Sequence, residues 1–213
     1  MKSDEFIEKA KGYLPTATLE QAGTFYKNLL EKNYNPEIIR ELAKIDRWFL
    51  LVILLNRKDA VHPWLYDRCR EVEKNPDGHL DLWARGHYKS TIITYAGTIQ
   101  EILKDPNITI GVFSHTRPIA KGFLKQVKRE FEINEFLRDL FPDICYPNPR
   151  QDSPQWSEDA GIIVNRKSNP KEATLEAWGL VDGQPISRHY DLRIYDDVVT
   201  RDSVNTPDQI EKT

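Results

Sequence analysis

Apolar residues in the first part of the chain recur every three or four positions, which is the spacing of amphipathic helices. The pattern is clearest over residues 18–33 and 35–57 and predicts helices there. The longest apolar run, WFLLVILL at residues 48–55, is shorter than the roughly 20 residues that cross a bilayer, so it predicts a buried helix. Another helix is predicted to begin with Pro63 in its first turn and to stop at Asn75-Pro76.

After residue 75 the pattern changes to short alternating or wholly apolar runs, which predict strands. The predicted strands cover residues 79–84, 108–114, 161–165, 174–180 and 189–199. The third and fourth are joined by a polar loop and are predicted to pair as a hairpin. Helices are predicted between them at residues 88–105, where Pro106 ends the helix, and at residues 117–132.

This alternation of strands and helices predicts an α/β fold with a mainly parallel central sheet that helices flank on both faces. We therefore divide the chain into an N-terminal helical region, residues 1–75, and an α/β core, residues 76–213. A length of 213 residues fits one sizeable domain with such an appendage.

Composition adds limited information. With 30% charged and 39% hydrophobic residues the chain has a globular, soluble composition, and its first residues lack the apolar core of a signal peptide. A net charge of −3 argues against a constitutive nucleic-acid binder but says little about a motor that grips and releases DNA. Cys69 and Cys145 lack metal or redox spacing and are expected to be reduced thiols, and the five histidines show no zinc-ligand spacing.

The stretch WARGHYKSTIITYAG, residues 83–97, carries the first candidate chemistry. Its Lys-Ser-Thr opens a predicted helix, as in the phosphate-binding loop G-x-x-x-x-G-K-[ST]. Trp83 and Tyr88 stand at the two glycine positions, however, and Gly86 is the only glycine of the loop. One interpretation is that the Lys-Ser-Thr only caps a helix. The other is a nucleotide site, because a strand, a short loop and a helix N-terminus bring backbone N–H groups together around a triphosphate.

A second stretch favours the nucleotide interpretation. LRIYDDVV, residues 192–199, is a hydrophobic strand that ends in two carboxylates, and such a strand places Asp196 where a Walker B acid lies. Lys89 would then act on the β- and γ-phosphates, while Ser90 and Asp196 would hold Mg²⁺. We therefore predict a nucleoside triphosphate and Mg²⁺ as ligands. The predicted nucleotide-binding residues are Arg85, Gly86, His87, Tyr88, Lys89, Ser90 and Thr91.

With these residues in view, the chain resembles the N-terminal ATPase domain of the terminase large subunits of tailed bacteriophages over roughly residues 60–205. Arg85 lies four residues before Lys89, as in the deviant Walker A motif of that family, and TLEAWGLVDGQPISRHYDLRIYDD, residues 174–197, is similar to the family's approach to Walker B. The resemblance implies a P-loop NTPase of the ASCE type that hydrolyses ATP to move double-stranded DNA into a procapsid.

The same resemblance implies roles for other residues. Asp197 would orient the attacking water, although many members have glutamate there. Arg85 would contact the phosphates of its own subunit, and Arg188 would act as an arginine finger in a neighbouring subunit, with Arg117 as a third candidate. Each arginine has the alternative of an ordinary surface contact.

The implied partners are double-stranded DNA, a homo-oligomeric ring that is a pentamer when assembled, the portal protein and the small terminase subunit, in the host cytoplasm and without a membrane. Members of the family continue into a nuclease domain, whereas this sequence stops at Thr213. We therefore expect no nuclease activity and interpret the chain as a fragment, or else as a short relative.

Two further surfaces are candidates. Lys121, Lys125 and Lys128 share one face of the helix predicted at residues 117–132, where a basic stripe either contacts DNA phosphates or is simply solvated. One aromatic residue among His62, Trp64 and Tyr66 either stacks on adenine or belongs to the core.

Other functions stay open on the residues alone. They are a helicase-like ATPase, a small-molecule kinase, a metal-dependent nuclease that uses Asp196 and Asp197, and an assembly module without catalysis.

Overall fold

The computed structural model describes residues 3–32, 34–74, 78, 80–183 and 185–199. These residues pack as two compact units. The first is the described part of Met1–Lys104 with Asn134–Pro142, and the second is Asp105–Ile133 with the described part of Asp143–Thr213. The division predicted between residues 75 and 76 stays a prediction.

Helices come first along the chain and return between the strands. The α-helices are α1 Ser3–Tyr13, α2 Leu19–Lys32, α3 Pro36–Ile45, α4 Arg47–Phe49, α5 Pro63–Lys74, α6 Thr98–Lys104, α7 Arg117–Ile133, α8 Glu135–Leu140 and α9 Pro149–Asp152. Two π-helical segments, Leu50–Leu54 and Thr91–Gly97, directly precede Leu55 and α6, and short 3₁₀ turns span Leu14–Thr16 and Lys58–Ala60.

Helices form in both N-terminal segments predicted to be helical, but residues 35–57 are not one continuous helix, because extended Asp46 separates α3 from α4 and the helical part ends at Leu54. Asn35 caps α3 by accepting hydrogen bonds from the backbone N–H groups of Glu37 and Ile38, and Asp46 caps α4 through the N–H of Phe49. The apolar run 48–55 is helical through Leu54 and buried apart from part-exposed Ile53, so the predicted buried helix is confirmed. Helix α5 begins at Pro63, also as predicted, whereas its predicted end at residues 75–76 lies outside the described residues.

A buried charged network joins these helices. Asp46 accepts hydrogen bonds from the Tyr26 hydroxyl and from Arg70 Nη2, the latter at 2.6 Å. Glu73 accepts from the backbone N–H of Arg47 at 2.5 Å. Arg70 Nη1 also lies 3.3 Å from Glu73 Oε2, so Arg70 pairs with both carboxylates, as charges removed from water require. The Arg47 side chain also donates to Gln100 of α6 at 3.0 Å, which ties the helix downstream of the Lys-Ser-Thr sequence to the network.

The second unit contains an open five-stranded sheet. Its strands are β1 Ile110–Ser114, β2 Trp156–Ser157, β3 Gly161–Ile162, β4 Leu175–Gly179 and β5 Leu192–Tyr195, in the order β2-β3-β4-β1-β5. Strand β1 runs parallel to both β4 and β5, whereas β3 is antiparallel to β2 and β4. The protein is therefore a mixed α/β structure, and the predicted pairing of the third and fourth strands is confirmed, with a shorter β3 than expected.

The core of this unit forms between β1, β4 and α7. Every residue of β1 is buried, which confirms the strand predicted from its apolar run. Helix α7, also as predicted, packs against β1 and β4. It buries an apolar stripe of Ala120, Leu124, Val127 and Phe131.

One predicted strand is wrong. Residues 80–84 adopt no strand, and His79 lies outside the described residues. The side chains that would form the apolar face are open to solvent, with Leu80 80% and Leu82 84% exposed. Alternation shows only that a segment has one apolar face, and without a paired neighbour that face does not produce a strand.

Within the part of the chain that the structure describes, none of the helices combines the length and the apolar character needed to cross a bilayer.

Candidate functional site

The segment 83–91, which we call the candidate phosphate loop, lies in the first unit. Its backbone turns at Arg85-Gly86, and a helix begins at Lys89 and continues through the π-helical segment into α6, so the predicted helix is confirmed. Gly86 has a φ of 78° and Tyr88 a φ of 64°. Tyr88 therefore adopts the left-handed conformation at the position where the consensus loop has its second glycine.

A non-glycine residue in this conformation is costly, by about 1–3 kcal/mol, and persists only where its surroundings hold it. The Tyr88 hydroxyl donates to Asp59 Oδ2 at 2.7 Å. Arg57 donates to both oxygens of the same carboxylate, at 3.0 and 2.7 Å, and its guanidinium lies 5.7 Å from the centre of the Tyr88 ring. We call these three residues the Tyr88 clasp.

The protonation states of the Tyr88 clasp suit its hydrogen bonds at neutral pH. Hydrogen bonds from Arg57 and Tyr88 hold the pKa of the Asp59 carboxyl well below its usual range. The hydrogen bond to Asp59 in turn raises the pKa of the Tyr88 phenol. The carboxylate is therefore ionised and the phenol keeps its proton, so that one accepts and the other donates.

Aromatic side chains support the other side of the loop. Trp64 of α5 packs edge to face against Trp83 and His87, with ring centres 5.3 and 5.4 Å apart. Arg85, Gly86 and His87 are exposed, so the tip of the loop is open to solvent. Tyr66, by contrast, is buried, and its hydroxyl lies within hydrogen-bonding distance of two backbone carbonyls, which gives it a core role. Stacking of Trp64 on adenine stays a prediction.

The predicted phosphate and metal ligands of the loop occupy the first turn of its helix. Lys89, Ser90 and Thr91 are all part-exposed there. A first turn offers backbone N–H groups without partners in the helix, and it carries the positive end of the helix dipole. This turn can therefore attract an anionic ligand.

The acidic strand end lies in the second unit, where β5 and β1 terminate together. The ladder continues past the strand, because Asp196 N–H donates to Phe113 O at 2.9 Å and Ser114 Oγ donates to Asp196 O at 2.6 Å. Asp196 is 2% exposed. Asp197 is exposed and left-handed, with a φ of 51°. The two adjacent carboxylates thus have different surroundings. Their predicted proximity to Lys89, which belongs to the other unit, stays a prediction.

The candidate finger Arg188 makes contacts in its own unit. Its Nη1 donates to Lys171 O at 2.6 Å and lies 3.7 Å from Glu176 Oε1. Glu176 is buried and also accepts from the Tyr190 hydroxyl at 2.6 Å. Arg117 donates to Asp159 O at 2.6 Å and lies over the Trp178 ring. Both arginines therefore have structural roles in this conformation.

Arg188→Ala is predicted to affect ATP turnover and stability separately. If Arg188 acts as a finger, Arg188→Ala should reduce ATP turnover on the order of 10³-fold at unchanged ATP affinity. Its local contacts predict a loss of about 1–2 kcal/mol in unfolding free energy as well. Arg193 is an exposed residue of β5, so Arg193→Ala is the matched control for the loss of one positive charge. Full turnover in a less stable Arg188→Ala protein would assign Arg188 a structural role alone.

A mixed ring tests whether the arginine acts in trans. In assembled rings that contain both Arg188→Ala and Lys89→Ala subunits, some activity should return only if the arginine of one subunit acts in the site of its neighbour.

The lysine stripe of α7 is largely neutralised. Lys121 Nζ pairs with Asp159 at 2.6 Å, and Lys128 Nζ lies 3.2 Å from Glu132 and 3.9 Å from Glu158. Lys125 is exposed. Paired lysines release fewer counterions from DNA, so the stripe is weaker as a phosphate-contacting surface than its sequence indicates. Its DNA contact stays a prediction.

Cys69 and Cys145 are buried and free. Among the described residues, no group of three or more His, Cys, Asp and Glu side chains has the arrangement of a metal site. The predicted magnesium ligands, Ser90 and Asp196, include only one residue of these types, so their role stays a prediction.

The sequence did not indicate Arg57 or Asp59 as site residues. They lie in NRKDA, a polar segment typical of a solvated turn, and a short charged pair there is common. The only signal in the sequence was Tyr88 itself, since a bulky residue at a glycine position requires a partner to hold it.

No protein-family model matches the chain, and no curated protein matches it as a relative. The candidate site therefore rests on its own residues.

Proposed function

We propose that the protein is the ATPase domain of a DNA-packaging motor of the terminase large-subunit type, which hydrolyses ATP to translocate double-stranded DNA. The observation that carries the proposal is the candidate phosphate loop: Tyr88 is left-handed at the position where the consensus loop has its second glycine, and Lys89-Ser90 follow at once in the first turn of a helix. Residues 80–84 form no strand, so the proposal rests on the turn and the helix start. The strand end at Asp196-Asp197 would supply the acidic residues that a nucleotide site of this type needs.

The residues of the two motifs fit ATP with Mg²⁺. The Ser90 hydroxyl and the Asp196 carboxylate are hard oxygen donors of the kind that Mg²⁺ prefers. The bound cation would neutralise charge on the phosphates. Lys89 would bind the β- and γ-phosphates as a point charge, with the loop N–H groups around it and Arg85 beside them. Asp197 is exposed and would orient the attacking water, and Arg188 or Arg85 would offset charge in the transition state.

The larger setting is part of the same proposal. A motor of this type would work as a homo-oligomeric ring, as a pentamer when assembled. It would act with the portal protein and the small terminase subunit on double-stranded DNA in the host cytoplasm. The paired state of Lys121 and Lys128 offers the DNA part of the proposal little support.

The test is Mg²⁺-dependent release of phosphate from ATP by the purified protein, with plasmid DNA in a parallel reaction. Phosphate release without DNA cleavage is expected. Plasmid cleavage without ATP would instead favour the nuclease that Asp196 and Asp197 could form. Nucleotide binding without release would favour an assembly module.

Asp197→Asn should lower turnover by about 10²–10⁴-fold, the usual contribution of a residue that positions or deprotonates the nucleophile, while ATP affinity stays close to that of the wild type. Single-turnover hydrolysis and equilibrium nucleotide binding separate the two quantities. Asp139→Asn, an exposed aspartate on α8, serves as the control. Wild-type turnover in Asp197→Asn would place the water-orienting group elsewhere.

A further inference from the structure

We propose that Asp59 is a positioning residue that, through the Tyr88 hydroxyl, holds the candidate phosphate loop in the left-handed turn from which the Lys89 helix begins. The conformational part of this inference stands by itself, and its consequence for the phosphate groups of a nucleotide rests on the proposed function.

The backbone of Tyr88 is strained. A glycine adopts a φ of +64° freely, whereas a tyrosine does so only against a steric cost between its Cβ and the backbone. Tyr88 is also the last residue before the helix, so its backbone fixes the direction in which the first helical N–H groups point. Whatever holds Tyr88 therefore also holds the geometry of the anion-binding turn.

Asp59 anchors the Tyr88 side chain. The Tyr88 hydroxyl donates to Asp59, which is 29 residues earlier in the chain, and the Arg57 guanidinium donates to both oxygens of the same carboxylate. Asp59 lies in the 3₁₀ turn Lys58–Ala60. That turn is itself fixed in the core: Ala60 is fully buried, and its carbonyl accepts a hydrogen bond from Trp48 Nε1 at 3.2 Å. The loop is thus hydrogen-bonded to a turn whose last residue, Ala60, is anchored in the core of the helical region.

The Tyr88 clasp should affect ligand binding through the order of the loop. A loop with two glycines has more backbone freedom to lose when it is fixed around a ligand, which costs conformational entropy. A loop held by the Tyr88 clasp is ordered beforehand, and its order depends on a charge pair that need not touch the ligand. Loss of Asp59 should therefore loosen the loop and weaken nucleotide binding together.

A double-mutant cycle tests this inference, with hydrogen exchange of the amides at residues 86–92 and equilibrium ADP binding as the two measurements. Asp59→Ala and Tyr88→Phe should each speed exchange and weaken ADP binding about tenfold, as expected for one hydrogen bond to a charged group. In a Tyr88→Gly protein, adding Asp59→Ala should have no further effect, because glycine needs no clasp. Asp139→Ala is the control for loss of an exposed aspartate in the same unit.

The outcomes separate the two proposals. If Asp59→Ala speeds exchange equally with and without Tyr88→Gly, Asp59 acts on general stability and the inference is wrong. Unchanged exchange in both Asp59→Ala and Tyr88→Phe would also overturn it, and Tyr88→Phe decides the matter if Asp59→Ala fails to fold. If the wild-type protein binds no ADP or ATP, the proposed function fails, while the exchange measurements still decide the clasp.

Discussion

Lys89→Ala should abolish ATP hydrolysis, with turnover falling by at least about 10²-fold, while the protein stays folded. The lysine lies part-exposed in the first turn of a helix, so removing its side chain opens no cavity in the core. Its ammonium group, however, would be the nearest fixed positive charge to phosphate oxygens that gain charge during transfer. Phosphate release, circular dichroism and nucleotide affinity measure the three parts of this prediction.

The same helix offers a matched control. Lys104 lies at the end of α6 and pairs with Glu101 at 2.7 Å on an exposed surface. Lys104→Ala removes the same charge from the same helix and should leave turnover unchanged, since an exposed pair of this kind contributes little. Equal turnover in Lys89→Ala and Lys104→Ala would remove Lys89 from the site and leave its Lys-Ser-Thr sequence as a helix start only.

Gly179→Ala should destabilise the second unit by about 3 kcal/mol, through overpacking at a buried strand end and the loss of a hydrogen bond. A Cβ on Gly179, the last residue of β4, would overlap Asp182 Oδ1 and the backbone nitrogen of Arg117. These two atoms are hydrogen-bonded to each other at 2.7 Å and fix the start of α7. Relief of the overlap would therefore break that contact.

Urea denaturation gives the unfolding free energy, and Gly122→Ala is the control. Gly122 lies in α7, and a Cβ on it would meet no atom within 4 Å apart from its chain neighbours and the backbone of its own helix. Alanine there should therefore stabilise the helix by about 0.5–1 kcal/mol. We therefore expect the free energy of unfolding to fall in Gly179→Ala and to rise in Gly122→Ala. A neutral Gly179→Ala would mean that the backbone of residues 116–117 moves away at little cost.

Sequence patterns predicted most of the helices and the strands β1, β3, β4 and β5, because each contains an apolar face or a short apolar run that regular structure buries. They failed at residues 80–84, where a strand also needs a partner that no local pattern reveals. They also missed β2, which has two residues, too few for any periodicity.

The candidate site was predictable to a different degree. The Lys-Ser-Thr sequence and the acidic strand end are local motifs, so their residue types were visible at once. The left-handed backbone at Tyr88 and its hydrogen bond to Asp59 were not, because a contact across 29 residues is set by the packing of the helical region. Tyrosine stands where the consensus loop has glycine, and its hydrogen bond to Asp59 holds it in a conformation that glycine adopts freely.

The pairing of β5 has a consequence for the two neighbouring aspartates. Ile194 is buried while Arg193 and Tyr195 on either side of it are exposed, so the strand has one position in the sheet that keeps its apolar residue covered. The same alternation covers Asp196 and leaves Asp197 in solvent. Inserting one residue into β5 would exchange the surroundings of these two chemically identical side chains. The number of residues in β5 therefore decides which of the two aspartates is covered and which is exposed to solvent.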